Sequence, residues 1–299
     1  MTERKQVFAI WGANGGGKTT LAVNLAVVLA DSGFMTCLVS ATDYGELQAF
    51  LGTAIPKHKG LYAAINSGRH VREALVEARP NLYILEQATG GDAYDTVNIS
   101  AEQVAHIIEE LRDHFTYVII DCSHYKESPF TGIGLLAADK IPVCIPRRVT
   151  AATWHNANAK MMQANIDKTV FIECNTLEGG CDAAQLLESI DLPECDFKIP
   201  QVPTAYLCEN TAQPIVLKNG RAERRYKDAV LDLAQFLLYA DENSAKESGV
   251  SAGKKFMGMF APKTRESDGM RTKKLSKRDQ RRAEEEAMRQ AQYIDDDDE

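Results

Sequence analysis

Several features that mark secreted, membrane-spanning or metal-binding proteins are missing from this chain of 299 residues. Its seven cysteines form no metal-type C-x-x-C pair, and their odd number and mostly apolar surroundings are typical of ordinary buried thiols. No apolar run approaches the roughly eighteen residues that span a bilayer. The charged start MTERKQ leads directly into an apolar run, which is unlike a signal peptide. These absences predict a cytoplasmic location.

The chain also lacks an excess of positive charge, because its formal net charge is −8. That balance argues against a protein that coats nucleic acid with its whole surface, although a local basic patch remains compatible with it. With 44% hydrophobic and 25% charged residues, the composition is typical of a soluble globular protein. The length allows one large domain with a tail, or two small domains.

The most informative feature that is present is the run GANGGGKT, residues 12–19. It fits G-x-x-x-x-G-K-[ST], lies after the apolar run Val7–Trp11, and precedes a helical pattern that ends at Gly33. Backbone amides of such a loop wrap a polyphosphate, and the following helix directs its positive end at it. The motif predicts a nucleotide-binding protein, with phosphate held by the loop residues Gly12, Asn14, Gly15, Gly16, Gly17, Lys18, Thr19 and Thr20.

Short apolar runs alternate with helical patterns along most of the chain. The predicted strands are Val7–Trp11, Thr36–Ser40, Asn81–Glu86, Tyr117–Asp121, Ile141–Ile145 and Val170–Asn175. The predicted helices include Ala101–His114, which has a capping box of Ser100 and Gln103, and a last core helix over Arg221–Tyr239. This alternation predicts an α/β fold, a doubly wound and mostly parallel sheet with helices on both faces.

The composition changes after Asp241. Residues 241–270 are rich in Ser, Gly, Lys and Glu, and residues 271–299 are mostly charged without an apolar stripe. We therefore predict a nucleotide-binding domain over residues 1–240 and a disordered or partly helical charged tail over 241–299.

A second nucleotide motif is the apolar strand Tyr117–Asp121, which ends in an acid. In phosphate-loop NTPases a carboxylate at this place holds the shell of the Mg²⁺ ion, commonly through water. Thr19 and Asp121 are accordingly the candidate metal residues.

From about residue 5 to 240 the chain resembles the ParA/MinD superfamily of P-loop ATPases. The resemblance rests on the phosphate loop and on segments in family order, among them TCLVSATDYGELQAFLG, FTYVIIDCSH, LAADKIPVCIPRRVTAAT, VFIECN and IPQVPTAYLCENTAQPI. It implies ATP and Mg²⁺ as cofactors, an ATP-dependent homodimer, adenine recognition by Asn175, and a base-covering loop at residues 199–215.

The chain departs from the family pattern at the residues that support hydrolysis. Ala13 replaces a lysine that reaches the partner's nucleotide, and Ser40 and Thr42 replace two aspartates. Asp43 lies one residue beyond and is, with Lys18, a candidate catalytic residue, although that displacement is large for a group that positions water. Cys122, Ser123 and His124 replace the Pro and Gly that follow the acid. A weak ATPase and a nucleotide-binding scaffold both remain open.

Arg147 and Arg148 follow the strand that ends at Ile145. One of them is a candidate replacement for the missing lysine, acting within the chain or across a dimer as an arginine finger does. The alternative is a solvated pair at a helix start.

The atypical loop and switches resemble the CpaE/TadZ branch, which implies a protein partner in a Tad/Flp-type pilus or secretion apparatus. MinD-like division-site placement and ParA-like DNA partitioning remain alternatives. Membrane contact through residues 254–260 is less favoured, because the segment contains Gly258 and stops at Pro262. Nucleic-acid contact through the basic residues of 271–282 is also less favoured, because acidic residues 295–299 would compete with phosphates.

Overall fold

The computed structural model describes residues 5–42, 45–66, 70–91, 99–125, 128–174, 180–192 and 194–243. Eight strands lie within this part of the chain. They are β1 (Gln6–Gly12), β2 (Thr36–Ser40), β3 (Val76–Arg79), β4 (Leu82–Leu85), β5 (Tyr117–Asp121), β6 (Ile141–Ile145), β7 (Thr169–Glu173) and β8 (Phe197–Lys198).

Helices connect and cover these strands. Those in the described residues are α1 (Lys18–Asp31), α2 (Glu46–Leu51), α3 (Gly60–Asn66), α4 (Val71–Ala74), α5 (Ala101–His114), α6 (Pro129–Ala137), α7 (Val149–Ala164), α8 (Ala183–Glu188), α9 (Leu207–Thr211) and α10 (Arg221–Asn243). Short 3₁₀ turns lie at Ile166–Lys168 and Ile215–Leu217.

The strands form one sheet in the order β3-β4-β2-β5-β1-β6-β7-β8. Every adjacent pair is parallel except β3 and β4, which are antiparallel. The predicted mostly parallel α/β sheet is confirmed. Because β1 lies at the centre, with β5 on one side and β6 on the other, the loop that follows it opens at the carboxyl edge of the sheet, where such folds bind ligands.

Helices cover both faces of the sheet, which separates the core into two layers. Alternate residues of β1 point to opposite sides, so Phe8 and Ile10 pack into one cluster with residues of α1 and α10. Val7 and Ala9 pack into the other cluster with residues of α5 and α6. Burial of both faces explains why the central strands are apolar throughout rather than alternating.

Two predicted helices are confirmed with their chemistry. α5 has the predicted bounds, and its capping box is formed: Ser100 Oγ accepts from the Gln103 amide at 3.2 Å, and Gln103 Oε1 accepts from the Ser100 amide at 2.9 Å. α10 begins at the predicted Arg221 and continues to Asn243, four residues beyond the predicted end.

The outer strands of the sheet differ from the prediction in their bounds and number. β4 covers only Leu82–Leu85, and β7 ends at Glu173 rather than continuing to residue 175. The edge strands β3 and β8 were not predicted, because a four-residue strand without a fully buried residue and a two-residue strand carry too little periodicity to be recognised.

Within the described residues, no helix has both the length and the apolar character needed to cross a membrane. Residues 244–299 lie outside the described part, so the predicted domain boundary and charged tail stay predictions.

Candidate functional site

The predicted phosphate loop connects β1 to α1, and Gly12 fixes its start. Gly12 pairs with Cys144 of β6 and has a φ of 143°. A Cβ at this position would lie 2.4 Å from the Cys144 carbonyl oxygen. Only glycine therefore lets β1 approach β6 closely enough to set the loop at the sheet edge.

The loop turns into the helix through glycines in the left-handed region. Gly15 has a φ of 68°, and Gly17, the N-cap of α1, has a φ of 81°. No acidic side chain occupies the first turn of α1. The amides at this helix start are thus directed at the space above the loop, with the positive end of a fourteen-residue helix behind them.

Lys18 is held over the loop. Its ammonium group donates a hydrogen bond to the Ala13 carbonyl at 3.1 Å, and only 9% of the residue is exposed. The same carbonyl accepts from the Gly16 amide at 3.2 Å. A largely buried cation that is bonded to a neutral acceptor is well prepared to bind an anion.

Asp121 supplies a buried carboxylate beside the loop. It ends β5, in register with Ile10 of β1 and Ser40 of β2, and it is fully buried. Among the described residues, neither carboxylate oxygen has a hydrogen-bond partner. Burial raises the pKa of Asp121 to about 7, against the lowering effects of the Thr19 side chain and the Lys18 charge.

The Thr19 hydroxyl has one proton, which it donates to Glu46 Oε2 at 3.0 Å rather than to Asp121. Asp121 is therefore left with the unpaired buried oxygens that a cation would satisfy. Among the described residues, no group of three or more His, Cys, Asp or Glu side chains is arranged to hold a metal ion. A threonine hydroxyl and one carboxylate fit Mg²⁺, which keeps several waters and takes further oxygens from phosphates.

Glu86 anchors the helix that carries Glu46. It follows β4, is fully buried, and accepts hydrogen bonds from the amides of Leu47 at 2.8 Å and Gln48 at 3.1 Å. These are amides of the first turn of α2. Burial raises the pKa of Glu86 to about 7, although its hydrogen bonds lower it, and the charge of Asp121 raises it further.

We expect Glu86 to make the protein less stable as the pH rises. Folding raises the pKa of this group from 4.5 to about 7, so the folded state keeps a proton that the unfolded chain has released. The unfolding free energy should therefore fall between about pH 5 and pH 7.5, by roughly 3 kcal/mol at most from this group. Urea unfolding at several pH values in metal-free buffer measures it.

Glu86→Gln removes the titrating carboxyl group. Its unfolding free energy should therefore fall less with rising pH, by up to roughly 3 kcal/mol. Glu109→Gln on the exposed side of α5 controls for the loss of a carboxylate. Parallel pH profiles for the wild type and Glu86→Gln would contradict the assignment.

The two residues in place of the switch aspartates bond to each other. The hydroxyl oxygens of Ser40 and Thr42 lie 2.7 Å apart, and the Thr42 amide donates to Ser40 Oγ at 3.2 Å. Ser40 is fully buried. These hydroxyls supply no negative charge to the site.

Trp154 of α7 contacts both the segment after Asp121 and Trp11 of β1. The Trp154 indole donates to the His124 carbonyl at 3.0 Å, and its ring packs edge-on against Trp11 at a centroid distance of 4.7 Å. Burial and the positive charge of Lys18 lower the pKa of His124. Tryptophan fluorescence is thus placed to report movement of this segment.

The side chains of Arg147 and Arg148 make different contacts. Arg147 Nε donates to the Cys181 carbonyl at 2.9 Å, just before α8. Arg148 is exposed at the start of α7, and a Cβ built on Gly15 would lie 2.8 Å from its Nη1. Of the two arginines, Arg148 is the one whose guanidinium group lies against the phosphate loop.

Two cavities flank the loop. The larger, of about 380 Å³, is lined by loop residues including Lys18 and Thr19, by Glu46, and by residues 122–125. The smaller, of about 110 Å³, is lined by Tyr226 and by residues of the predicted base-covering loop. Gly17 and Thr20 line both.

The structure thus gathers the predicted loop residues 12–20 and Asp121 at one edge of the sheet. Asp43, Asn175 and the segments 254–260 and 271–299 lie outside the described residues, so their predicted roles stay predictions. Sequence reasoning missed Glu46 and Glu86. Glu46 belongs to no motif, and its one signal was an acid at the start of a short apolar helix.

The sheet and the loop are those of a P-loop nucleoside triphosphatase. A family model described as an AAA domain matches residues 5–168, more than half of the chain. The chain belongs to the ParA/MinD superfamily of P-loop ATPases, as its MinD relatives also indicate.

Septum site-determining protein MinD from Synechocystis is 34% identical over 142 residues, which are 45% of this chain and 51% of that protein. MinD from Bacillus subtilis is 30% identical over 142 residues, 47% of this chain and 52% of that protein. The chain therefore spans about half the length of these curated relatives.

Solved structures share the fold at low identity. MinD from Pyrococcus horikoshii, solved with Mg-ADP, superposes with a TM-score of 0.64 at 18% identity, covering 82% of this chain and 99% of that one. A ParA family ATPase from Chlorobium tepidum gives a TM-score of 0.65 at 18% identity, covering 77% of this chain and 98% of that one. An ATP complex of a Cyanothece McdA variant superposes with a TM-score of 0.59 at 15% identity, covering 83% of this chain and 100% of that one.

Proposed function

We propose that this chain is a Mg²⁺- and ATP-binding switch that hydrolyses ATP slowly and positions a cellular assembly. The observation that carries the proposal is the phosphate loop with Lys18 held above it, beside a fully buried Asp121 whose oxygens have no partner in the described part of the chain. Both groups need a ligand of opposite charge, and a magnesium nucleotide supplies one for each.

The nucleotide would be held across the two cavities. The β- and γ-phosphates lie against the loop amides and Lys18, and Mg²⁺ is held by Thr19 and Asp121. The base lies toward the smaller cavity beside Tyr226. Asn175 is proposed to read adenine. The P. horikoshii neighbour with Mg-ADP and the McdA neighbour with ATP support this choice of cofactors.

Isothermal titration calorimetry with ATP tests binding directly. We expect one site per chain and a gain in affinity when Mg²⁺ is added, because the cation links the phosphates to Asp121. Absence of heat at any nucleotide concentration would overturn the proposal.

Slow hydrolysis follows from the chemistry of the switch residues. Phosphoryl transfer relies on charge placed at the phosphates and on a positioned water. In the described part of the chain, Ser40 and Thr42 offer hydroxyls where carboxylates would act, and Ala13 offers no charge. Hydrolysis would then depend on Lys18, Arg148 and Asp43.

Arg148→Ala should lower the rate of ATP turnover by about 100-fold or more, because an arginine at the phosphates stabilises the charge of the transition state. Nucleotide affinity should change much less. Arg148→Lys should restore only part of the rate, since an ammonium group lacks the planar fork of donors. Steady-state phosphate release at saturating Mg-ATP measures these rates.

Arg147→Ala is the matched control, because that guanidinium group is bonded to the Cys181 carbonyl and its removal leaves the site unchanged. Equal turnover in the wild type and Arg148→Ala would remove Arg148 from the reaction.

The nucleotide state would be read through an ATP-dependent homodimer and a protein partner. The neighbour solved as a MinC:MinD complex from Aquifex aeolicus, at a TM-score of 0.61 and 19% identity, supports a partner-binding surface on this fold. Size-exclusion chromatography with and without ATP tests the dimer, which should appear only with ATP.

The proposed cargo is a Tad/Flp-type pilus or secretion apparatus, because the chain shares with that branch an atypical loop and altered switches. MinD-like division-site placement is the second candidate, and the MinD relatives favour it. Deletion in the native cell separates them: loss of surface pili supports the first, and misplaced septa support the second. The proposed location is the cytoplasm.

Contact with DNA or membrane through residues 244–299 is the less favoured alternative. Retention on DNA that is lost when residues 271–299 are deleted would favour a ParA-like role. Sedimentation with anionic vesicles that depends on residues 254–260 would favour a MinD-like membrane contact.

A further inference from the structure

The acid that contacts the proposed Mg²⁺ residue Thr19 is Glu46, which no motif assigns. Thr19 Oγ1 donates its proton to Glu46 Oε2 at 3.0 Å, across 27 positions of sequence. Glu46 also lines the larger cavity and acts electrostatically on Asp121. The inference drawn from this contact rests on the proposed function.

The direction of the Thr19–Glu46 hydrogen bond matters for metal binding. A hydroxyl group has one proton and two lone pairs, so fixing the proton also fixes where the lone pairs point. With its proton directed at Glu46, the Thr19 oxygen keeps its lone pairs free for a cation. Asp121, at the end of β5, is buried with both oxygens unpartnered among the described residues, and it would bind the same cation.

Glu46 is held in place by the fold rather than by chance. It begins α2, whose next two amides are bound by the buried Glu86. The Gln48 side chain adds hydrogen bonds to Glu86 at 3.2 Å and to the Gln87 carbonyl at 2.9 Å. These contacts fasten the start of α2 to the end of β4, so the Glu46 carboxylate is set against Thr19 before any ligand binds.

Gly45, the residue before Glu46, is closely packed against Gln48 and Glu86. A Cβ on Gly45 would lie 2.2 Å from Gln48 Nε2 and 3.4 Å from Glu86 Oε2. A larger residue at this position would displace the Gln48 amide that donates to Glu86. Glu209, the other glutamate that lines the larger cavity, is exposed on α9.

We propose that Glu46 is the positioning residue for the magnesium ion: its carboxylate accepts a hydrogen bond from the Thr19 hydroxyl and thereby orients the Thr19 oxygen toward the cation. Glu46 acts through Thr19 and does not itself touch the nucleotide. Carboxylates that orient a metal ligand in this way contribute about 10- to 100-fold to metal affinity. The consequence is that Glu46 strengthens binding of the magnesium nucleotide but not of the free nucleotide.

The test compares ADP binding in Mg²⁺ and in EDTA by isothermal titration calorimetry, using the full chain. In the wild type, the ratio of the two affinities measures the gain due to the cation. Glu46→Ala should reduce that ratio by about 10-fold or more while leaving the affinity in EDTA unchanged. Glu46→Gln should retain part of the gain, since its amide oxygen still accepts a hydrogen bond from the Thr19 hydroxyl.

Glu109→Ala, which removes an exposed acid from α5, is the matched control and should keep the wild-type ratio. Circular dichroism and urea unfolding confirm that each variant is folded. A wild-type ratio in Glu46→Ala would overturn the proposal, and so would an equal loss of affinity in Mg²⁺ and EDTA, because a merely structural role predicts that result.

Failure of the proposed function gives a different outcome from failure of this proposal. A wild type that binds no ADP under either condition overturns both. A wild type that binds with a clear Mg²⁺ gain, matched by Glu46→Ala, supports the proposed function and overturns only the role of Glu46.

Discussion

Replacing Lys18 with alanine should weaken ATP binding by about 30-fold or more, since truncating one partner of a buried charged pair costs about 2–5 kcal/mol. That cost corresponds to roughly 30- to several-thousand-fold in affinity. The Lys18 ammonium group is largely buried, and its hydrogen bond within the described chain goes to the neutral Ala13 carbonyl. Calorimetry with Mg-ATP measures the loss.

Lys160→Ala is the matched control, because it removes a lysine from the exposed side of α7. Its affinity for Mg-ATP should equal that of the wild type. Retained binding in Lys18→Ala would show that the nucleotide phosphates do not lie over the loop.

Gly12→Ala should destabilise the whole domain by roughly 3 kcal/mol or more, through backbone strain and a steric clash together. The φ of 143° is unfavourable for alanine, and its Cβ would lie 2.4 Å from the Cys144 carbonyl oxygen, which belongs to a central strand and cannot move alone. Strands β1 and β6 would have to separate where the loop begins. A lower midpoint of urea unfolding and a loss of nucleotide affinity should therefore appear together.

Gly33→Ala measures the cost of an unfavourable backbone conformation without a steric clash. Gly33 also has a positive φ, of 92°, but no atom lies within 4 Å of a Cβ built there. Its substitution should cost only about 1–2 kcal/mol, the strain of a left-handed alanine. Equal destabilisation in the two variants would show that the close approach of β1 to β6 contributes nothing to the loss of stability in Gly12→Ala.

The fold was predictable because its signals are local. Central strands buried on both faces read as apolar runs, and the glycines, Lys18 and Thr19 of the loop occur at fixed spacing next to one another. The capping box of Ser100 and Gln103 depends on residues three apart, so its geometry follows from sequence as well.

The parts that escaped prediction depend on contacts between distant residues. The bond between Thr19 and Glu46 spans 27 positions, and the one between Leu47 and Glu86 spans 39. Nothing in the neighbouring sequence distinguishes Glu46 from other acids at a helix start. Arg147 and Arg148 are likewise equivalent in sequence, and only the Cys181 carbonyl and Gly15 show which one faces the loop.

The most direct measurement is steady-state ATP hydrolysis by the purified full chain, with Lys18→Ala as the control for contaminating activity. The account predicts slow, Mg²⁺-dependent phosphate release that disappears in Lys18→Ala and falls steeply in Arg148→Ala. Phosphate release equal in the wild type and Lys18→Ala would contradict it, because hydrolysis would then not occur at this loop.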